Sequence, residues 1–423
     1  MKHNTVVIGA GQAGLATSWH LTERAIEHVV LDRGRVAETW RSHRWDSFRL
    51  LIPNGVCQLP GFGYRGEDPG GFMWKDEVVR FFEQYAESFH PPLREGVTVT
   101  ELRRGLDGGW EIVTDSEGVM EAENVVVATG AHQRPHVPSV AQGLDSCIAQ
   151  FHTDGYRNPT QLPSGGVLVV GGGSSGGQIA AELAMAGRDV YLALGRCAWL
   201  MRRYRGRDIT DWNKATGFTT QPVESLENPS ARLACLPMLA ANDSGKELNP
   251  RVLRDLGVTL TGRLIDADGT VVSFADDLAA TIAAGDGFIR FLKARIDAFI
   301  DMNDIDAPAD MGATPASDTA ASPRELDLEA AGITSVVWAT GYRMNLGWIL
   351  DAEFDDQGYP VHEGGVTPQG GLYFMGLPWL TTRGSGFIPG VGADAERVVE
   401  DIAARGGHSQ RHSVTAVAQG LAT

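Results

Sequence analysis

The apolar positions of this chain fall into short runs closed by glycine, and one such unit occurs twice. Thr5-Val6-Val7-Ile8 has the length and character of a strand buried on both faces of a parallel sheet. It runs into Gly9-Ala10-Gly11-Gln12-Ala13-Gly14 and then into a helix-like stretch to about Arg24. A second run, His28-Val29-Val30-Leu31, ends at Asp32, with Arg33 beside it. Strand, glycine turn, helix, strand and acid each have a task in holding a dinucleotide. Gly9 makes the turn, Gly11 lets backbone reach a pyrophosphate, and Gly14 lets the helix pack on the strand. The helix N-terminus, with Gln12 and Ala13, faces the phosphates, and Asp32 accepts from a ribose hydroxyl.

The pattern recurs at Val167-Leu168-Val169-Val170 and Gly171-Gly172-Gly173-Ser174-Ser175-Gly176, followed by a helix over Gln178–Ala186 and a strand over Asp189–Leu194. The second strands end in opposite charge. Where the first unit has Asp32, the second has Arg196, then a basic run that includes Arg202 and Arg203. An acid suits a free 2′-hydroxyl, whereas arginine suits a 2′-phosphate; the other reading of the basic run is a solvated loop. The first unit is therefore expected to take FAD and the second NADPH, a flavin and a nicotinamide being the pair that makes a hydride relay.

Asn124-Val125-Val126-Val127-Ala128-Thr129-Gly130 and Ser335-Val336-Val337-Trp338-Ala339-Thr340-Gly341 are apolar strands that end alike and bracket the second unit. They predict an α/β protein with two Rossmann-like domains, the NADPH domain inserted into the FAD domain. The expected boundaries are 1–160 and 326–423 for the FAD domain and 161–325 for the insertion. A stretch rich in Ala, Pro, Ser, Thr and Asp, from Ala307 to Pro323, reads as an exposed loop. Two stripes at helical spacing, Val78/Phe82/Tyr85/Phe89 and Phe288/Ile289/Leu292/Ile296/Phe299/Ile300, read as core. For the second stripe, a substrate-channel wall or a dimer seam is the alternative.

Composition sharpens this picture. Glycine supplies 52 of 423 residues, about 12% against a usual 7%, without a collagen period, so it is concentrated where backbone turns or meets a ligand. A net charge of −17 argues against nucleic-acid and anionic-membrane partners. The cysteines, Cys57, Cys147, Cys197 and Cys235, have no metal-ligand or disulfide-framework spacing, so no metal is expected. No apolar run is long enough to span a membrane. The first strand begins so close to Met1 that no cleaved leader is expected, which places the protein in the cytoplasm.

Two GxGxxG units, each followed by an Ala-Thr-Gly strand, resemble the two-dinucleotide-binding-domain flavoproteins, and within them the flavin-containing monooxygenases with their YUCCA-like and bacterial group B relatives. Thr39-Trp40 stands at the family's Thr-Trp flavin motif, and the segments Arg44–Leu50 and Pro53–Pro60 are similar to a family stretch ending in Leu-Pro. The second glycine loop matches its NADPH motif. The stretches Gly371–Gly376 and Gly384–Asp394 resemble its C-terminal flavin-contacting strand and helix. Of the fingerprint F-x-G-x-x-x-H-x-x-x-W/Y, His152 and Tyr156 fit, whereas Ser146 and Ile148 replace Phe and Gly, a departure that points away from the Baeyer–Villiger branch. The C-x-x-x-x-C pair of disulfide reductases is absent between Trp40 and Trp45.

The resemblance implies an NADPH- and O2-dependent monooxygenase acting on a small organic substrate through a flavin C4a-(hydro)peroxide. Its product would come from N or S oxygenation, or from attack on a carbonyl or 2-oxo acid. It also implies that Asn54 donates to the flavin or its oxygen; equally, Asn54-Gly55 is a turn signal. His152 reads as a structural or hinge residue. No Ser-His-Asp or paired-carboxylate arrangement is legible, and residues 208–334 show no polar constellation. An NADPH oxidase or a redox-responsive FAD/NADPH-binding protein is the alternative. Nothing in the sequence decides between a monomer and a homo-oligomer.

Overall fold

A computed structural model describes residues 2–241, 247–310 and 322–420. The Lys2–Ile8 strand forms the centre of a seven-stranded sheet, paired in parallel with His28–Asp32 on one side and Val119–Val127 on the other. Leu93–Glu95 extends the parallel edge beyond His28–Asp32. The Val119–Val127 strand changes character along its length. Its first half alternates buried and exposed residues as it pairs antiparallel with Trp110–Thr114, which in turn pairs with Val99–Arg104. Its last four residues are all buried, lying between Lys2–Ile8 and the returning Leu372–Phe374 strand. A hairpin edge with one wet face alternates, and a central parallel strand covered on both faces does not.

The second sheet is wholly parallel, in the order Ala149–His152, Ile333–Trp338, Gly166–Val170, Val190–Ala193, Thr259–Thr261. Strand pairing corrects the expected boundaries. Ala149–His152 precedes residue 161 and Ile333–Trp338 follows residue 325, yet both belong to this sheet. The second Ala-Thr-Gly strand therefore closes the inserted unit, and the return to the first sheet comes later, at Leu372–Phe374. Of the loop expected over Ala307–Pro323, residues 311–321 lie outside the described residues.

Both stripes pack mainly on cores, although Phe288 of the second also lines the cleft between the sheets. In the Lys75–Phe89 helix, Val78, Phe82 and Tyr85 are buried against the first sheet's cluster. In the Leu278–Met302 helix, Leu292, Ile296 and Ile300 pack with Met201, Tyr204, Ile209 and Trp212. The Gln12–Glu23 helix packs on the C-terminal Val391–Gly420 helix, which brings the two ends of the first domain together.

His362 gives this domain a pH-dependent weakness. Its Nδ1 accepts from Gly365 N–H at 3.2 Å, its Nε2 is buried without a partner, and burial with nearby Arg232 holds its pKa at about 4. Against an unfolded value near 6.5, the ring favours folding fully above about pH 6.5, and that contribution is lost as pH falls towards about 4. Up to about 3 kcal/mol is at stake. His362→Gln should flatten the fall in urea midpoint between about pH 7 and about pH 4.5. An equally steep fall in the variant would assign the acid limb to other groups.

Candidate active site

Both glycine turns open into one cleft of about 2850 Å³ between the sheets. In the first turn Gly9 has φ +111°, and a Cβ there would stand 2.6 Å from the Ala128 carbonyl oxygen. A Cβ on Gly14 would lie 1.8 Å from the Gly9 oxygen, so only glycine lets the helix start this close to the strand. A Cβ on Gly11 would meet nothing within 4 Å: the strand end opens there onto free space. The helix beginning at Gln12 has no side-chain cap and no acid in its first turn, which leaves its N–H groups for an anion. Asp32 closes the turn, its oxygens accepting from Ala10 N–H at 2.6 Å and Gly34 N–H at 2.7 Å. Gln12 Nε2 donates to the Gly386 carbonyl, joining the turn to the C-terminal loop. Exposed Arg33 and Thr39 and half-buried Trp40 line the same wall, and Trp40 stacks on Phe82.

The second turn repeats this geometry with one difference. Gly171 has φ +123°, and a Cβ on Gly176 would lie 1.8 Å from the Gly171 oxygen. A Cβ on Gly173, the counterpart of Gly11, would meet Cys235 Sγ at 2.7 Å. Ser174 Oγ donates to the Pro237 carbonyl and accepts from Leu239 N–H, so the 235–239 segment lies along this turn. Ser175 lines the cleft beside it. Ala128-Thr129-Gly130 and Ala339-Thr340-Gly341 end their strands at the two turns, and Gly130 and Gly341 take positive φ.

The basic run divides. Arg196 and Arg203 are exposed along the cleft. Arg202 is 1% exposed: it donates to the carbonyls of Leu51 and Ala240 and to Asp208, with Phe72 against its guanidinium. Both terminal nitrogens are bonded within the protein and its Nε is buried without a partner, so it ties the two halves together and is not the exposed arginine expected on the 2′-phosphate. Asn54 is buried in a one-turn helix over Asn54–Val56, and its amide nitrogen donates to the Asp68 carbonyl. Pro53, Gly55 and Val56 line the cleft, but Asn54 does not. The turn reading describes its backbone; its Nδ2 is taken by Asp68, and its Oδ1 is buried without a partner. His152 Nδ1 accepts from Asp154 N–H, which leaves Nε2 to donate to the Gly341 carbonyl at 3.0 Å, while its ring meets Tyr342 edge-on. Those bonds tie the linker strand to the second Ala-Thr-Gly end.

A cluster unread in the sequence lies at this seam. Asp154 Oδ1 faces His43 Nδ1 at 3.0 Å and accepts from the Tyr342 hydroxyl at 3.1 Å. Arg44, within electrostatic reach of Asp154 and Tyr342, sets its guanidinium over the Trp40 ring at 5.1 Å. His132 stands beside Tyr342, and surrounding protein together with Arg44 holds its pKa at about 4. The available signal was positional: Tyr342 directly follows one Ala-Thr-Gly end, and His132 comes two residues after the other. The cleft is also basic within an acidic protein. Among the described residues, ten arginine and lysine side chains besides the buried Arg202 line it against five carboxylates, in a chain of net charge −17. Among the described residues no cluster of metal-ligating side chains occurs.

Two sheets with parallel centres, each with an uncapped glycine turn opening on a shared basic cleft, define an oxidoreductase with two dinucleotide-binding domains. The Pyridine nucleotide-disulphide oxidoreductase family matches residues 6–209. A CzcO-like uncharacterized oxidoreductase of Geobacillus kaustophilus is 33% identical over 95% of this chain and 99% of its own length. The indole-3-pyruvate monooxygenase YUCCA1 of Oryza sativa is 34% identical over 43% of this chain and 45% of its own. Among solved structures, a flavin-containing monooxygenase from Stenotrophomonas maltophilia shares the fold, with a TM-score of 0.65 at 18% identity, over 96% of this chain and 99% of that one. The chain belongs to the CzcO-like oxidoreductases, relatives of the flavin-containing monooxygenases.

Proposed function

We propose that this protein is an NADPH- and O2-dependent flavin monooxygenase of a small organic substrate, with FAD at the first turn and NADPH at the second. The observation that carries the reading is the pair of turns on one cleft, with Asp32 after one strand and Arg196 after the other. Bound FAD, reduced by NADPH, would supply the activation of O2 and the transfer of one oxygen atom to the substrate. The chain's own residues bind, orient and keep water out. The N–H groups after Gly11 and Gly173 hold pyrophosphates. Asp32 accepts from a ribose hydroxyl, and Arg196 with Arg203 grips the 2′-phosphate. Trp40, Phe48 and Phe72 line the wall and limit water, which an oxygen-transferring site needs. Asp154, bonded by Tyr342, favours the Arg44 cation at the seam, and neutral His132 offers a hydrogen bond without adding charge.

A place in the cytoplasm belongs to the same reading. It is supported by four unpaired cysteines and by the lack, among the described residues, of any helix long and apolar enough to cross a membrane.

The test is NADPH consumption by the FAD-loaded protein over amines, thioethers, ketones and 2-oxo acids, with hydrogen peroxide measured in parallel. Oxygenated product matching NADPH consumed supports the reading; peroxide matching NADPH with every compound makes the protein an oxidase. Cofactor choice gives a second check. Arg196→Ala should raise KM for NADPH about tenfold or more through loss of a charge-assisted bond, with KM for NADH unchanged. If Arg203→Ala alone produces that effect, the 2′-phosphate lies on Arg203.

A further inference from the structure

Near the Gly384–Gly386 loop, two arginines stand without a counter-charge among the described residues. Arg383 lies between two buried rings, its guanidinium carbon 4.2 Å from the centre of Phe218 and 4.5 Å from that of Trp379. Its Nε donates to Gln221 Oε1 at 2.9 Å, and among the described residues no acceptor is paired with its two terminal nitrogens. Arg295, on the Leu278–Met302 helix, approaches the same Phe218 ring at 5.8 Å. One of its nitrogens donates to the Thr216 carbonyl, while its Nε is buried without a partner. Burial and the neighbouring Arg295 hold the Arg383 guanidinium below its usual pKa.

Half-burying a cation beside a second cation is costly unless an anion answers it. The chain carries 53 acidic residues, yet among the described residues none forms an ion pair with either arginine. The flanking rings fix the guanidinium plane, and the bond to Gln221 uses the one nitrogen that a fork-on contact does not need. What remains is the two-pronged edge that matches a carboxylate. Arg383, Phe218 and Trp379 all line the cleft, next to the Gly384–Gly386 loop that Gln12 holds. Arg383 belongs to neither glycine turn, although its loop meets the first one through Gln12, so NADPH affinity is the control for a cofactor phosphate.

We infer that Arg383, supported by Arg295, is the anion-reading end of the substrate pocket, and that the substrate is a small organic carboxylate with a flat apolar body lying against Phe218 and Trp379. The inference rests on the proposed function only in taking the occupant as substrate. A purely mechanical role is the competing account. The 221–223 segment bonds the 381–383 segment, Val223 N–H to the Thr381 carbonyl and Arg383 N–H to the Gln221 carbonyl, and Arg383 could serve only to clasp them.

The test measures binding, without turnover, to full-length FAD-loaded protein by calorimetry. The probes are phenylacetate and its methyl ester. Phenylacetate should bind at least about tenfold more tightly than the ester. Arg383→Gln should lower phenylacetate affinity about tenfold or more, leaving ester and NADPH affinities unchanged, and Arg295→Gln should act in the same direction. Arg383→Lys, which keeps the charge, should fall between wild type and Arg383→Gln, and melting temperatures identify any variant that fails to fold. Four results would overturn the inference: no phenylacetate binding by wild type, unchanged phenylacetate affinity in Arg383→Gln, equal losses for acid and ester, or a loss confined to NADPH. Because no oxygenation is measured, failure of the monooxygenase reading leaves this test standing.

Discussion

Gly11→Ala yields a protein that folds with an unchanged melting temperature and purifies without yellow colour. Gly11 has φ −81° and ψ −172°, a conformation alanine adopts freely, and its added Cβ meets no protein atom within 4 Å. Nothing in the folded chain resists the methyl group. It lies instead where backbone has to approach a pyrophosphate, and a methyl forced into such a contact costs about 3 kcal/mol, roughly a hundredfold in FAD affinity. Gly14→Ala makes the contrast. Its Cβ would stand 1.8 Å from the Gly9 carbonyl oxygen, which is backbone and cannot swing aside, so that variant should lose folded protein as well as flavin. The checks are melting temperature of the apoprotein and FAD retained per chain. A Gly11→Ala protein that keeps its flavin would remove the first turn as the flavin site.

Asp154→Asn should slow NADPH-driven flavin reduction about a hundredfold, the loss expected when reacting groups are misplaced by about an ångström. Its FAD content should match wild type. Asp154 is the acid that faces His43, Tyr342 and Arg44 together. Asparagine keeps the shape but takes away the carboxylate charge that favours the half-buried Arg44 cation over Trp40. Arg44 and Tyr342 come from opposite halves of the molecule, so the loss falls on how the two halves meet. Anaerobic stopped-flow reduction at saturating NADPH measures it. An unchanged rate would reduce the seam cluster to a structural tie.

The sequence shows both nucleotide units because glycine leaves a local record: positive φ at Gly9 and Gly171, and no room for Cβ at Gly14 and Gly176. It shows strands but not their neighbours. Ile333–Trp338 reads as an apolar strand in any sheet, and only pairing with Gly166–Val170 reveals which one. Ala149–His152 is too short and polar to stand out. Arg202 and Arg203 are equal letters in a basic run, yet packing against Leu51, Ala240 and Phe72 buries one while the other is exposed on the cleft. The seam cluster draws on positions 43, 44, 132, 154 and 342, and the Phe218 site on positions 218, 295, 379 and 383. No periodicity records such distances; strand ends and the clasp between the 221–223 and 381–383 segments create them.

Anaerobic titration of the purified yellow protein with NADPH tests the two-cofactor account most directly. One FAD per chain should be present, and about one equivalent of NADPH should bleach it, with NADH far less effective. A protein that cannot take up FAD, or a bound flavin that NADPH leaves oxidised, would contradict the account.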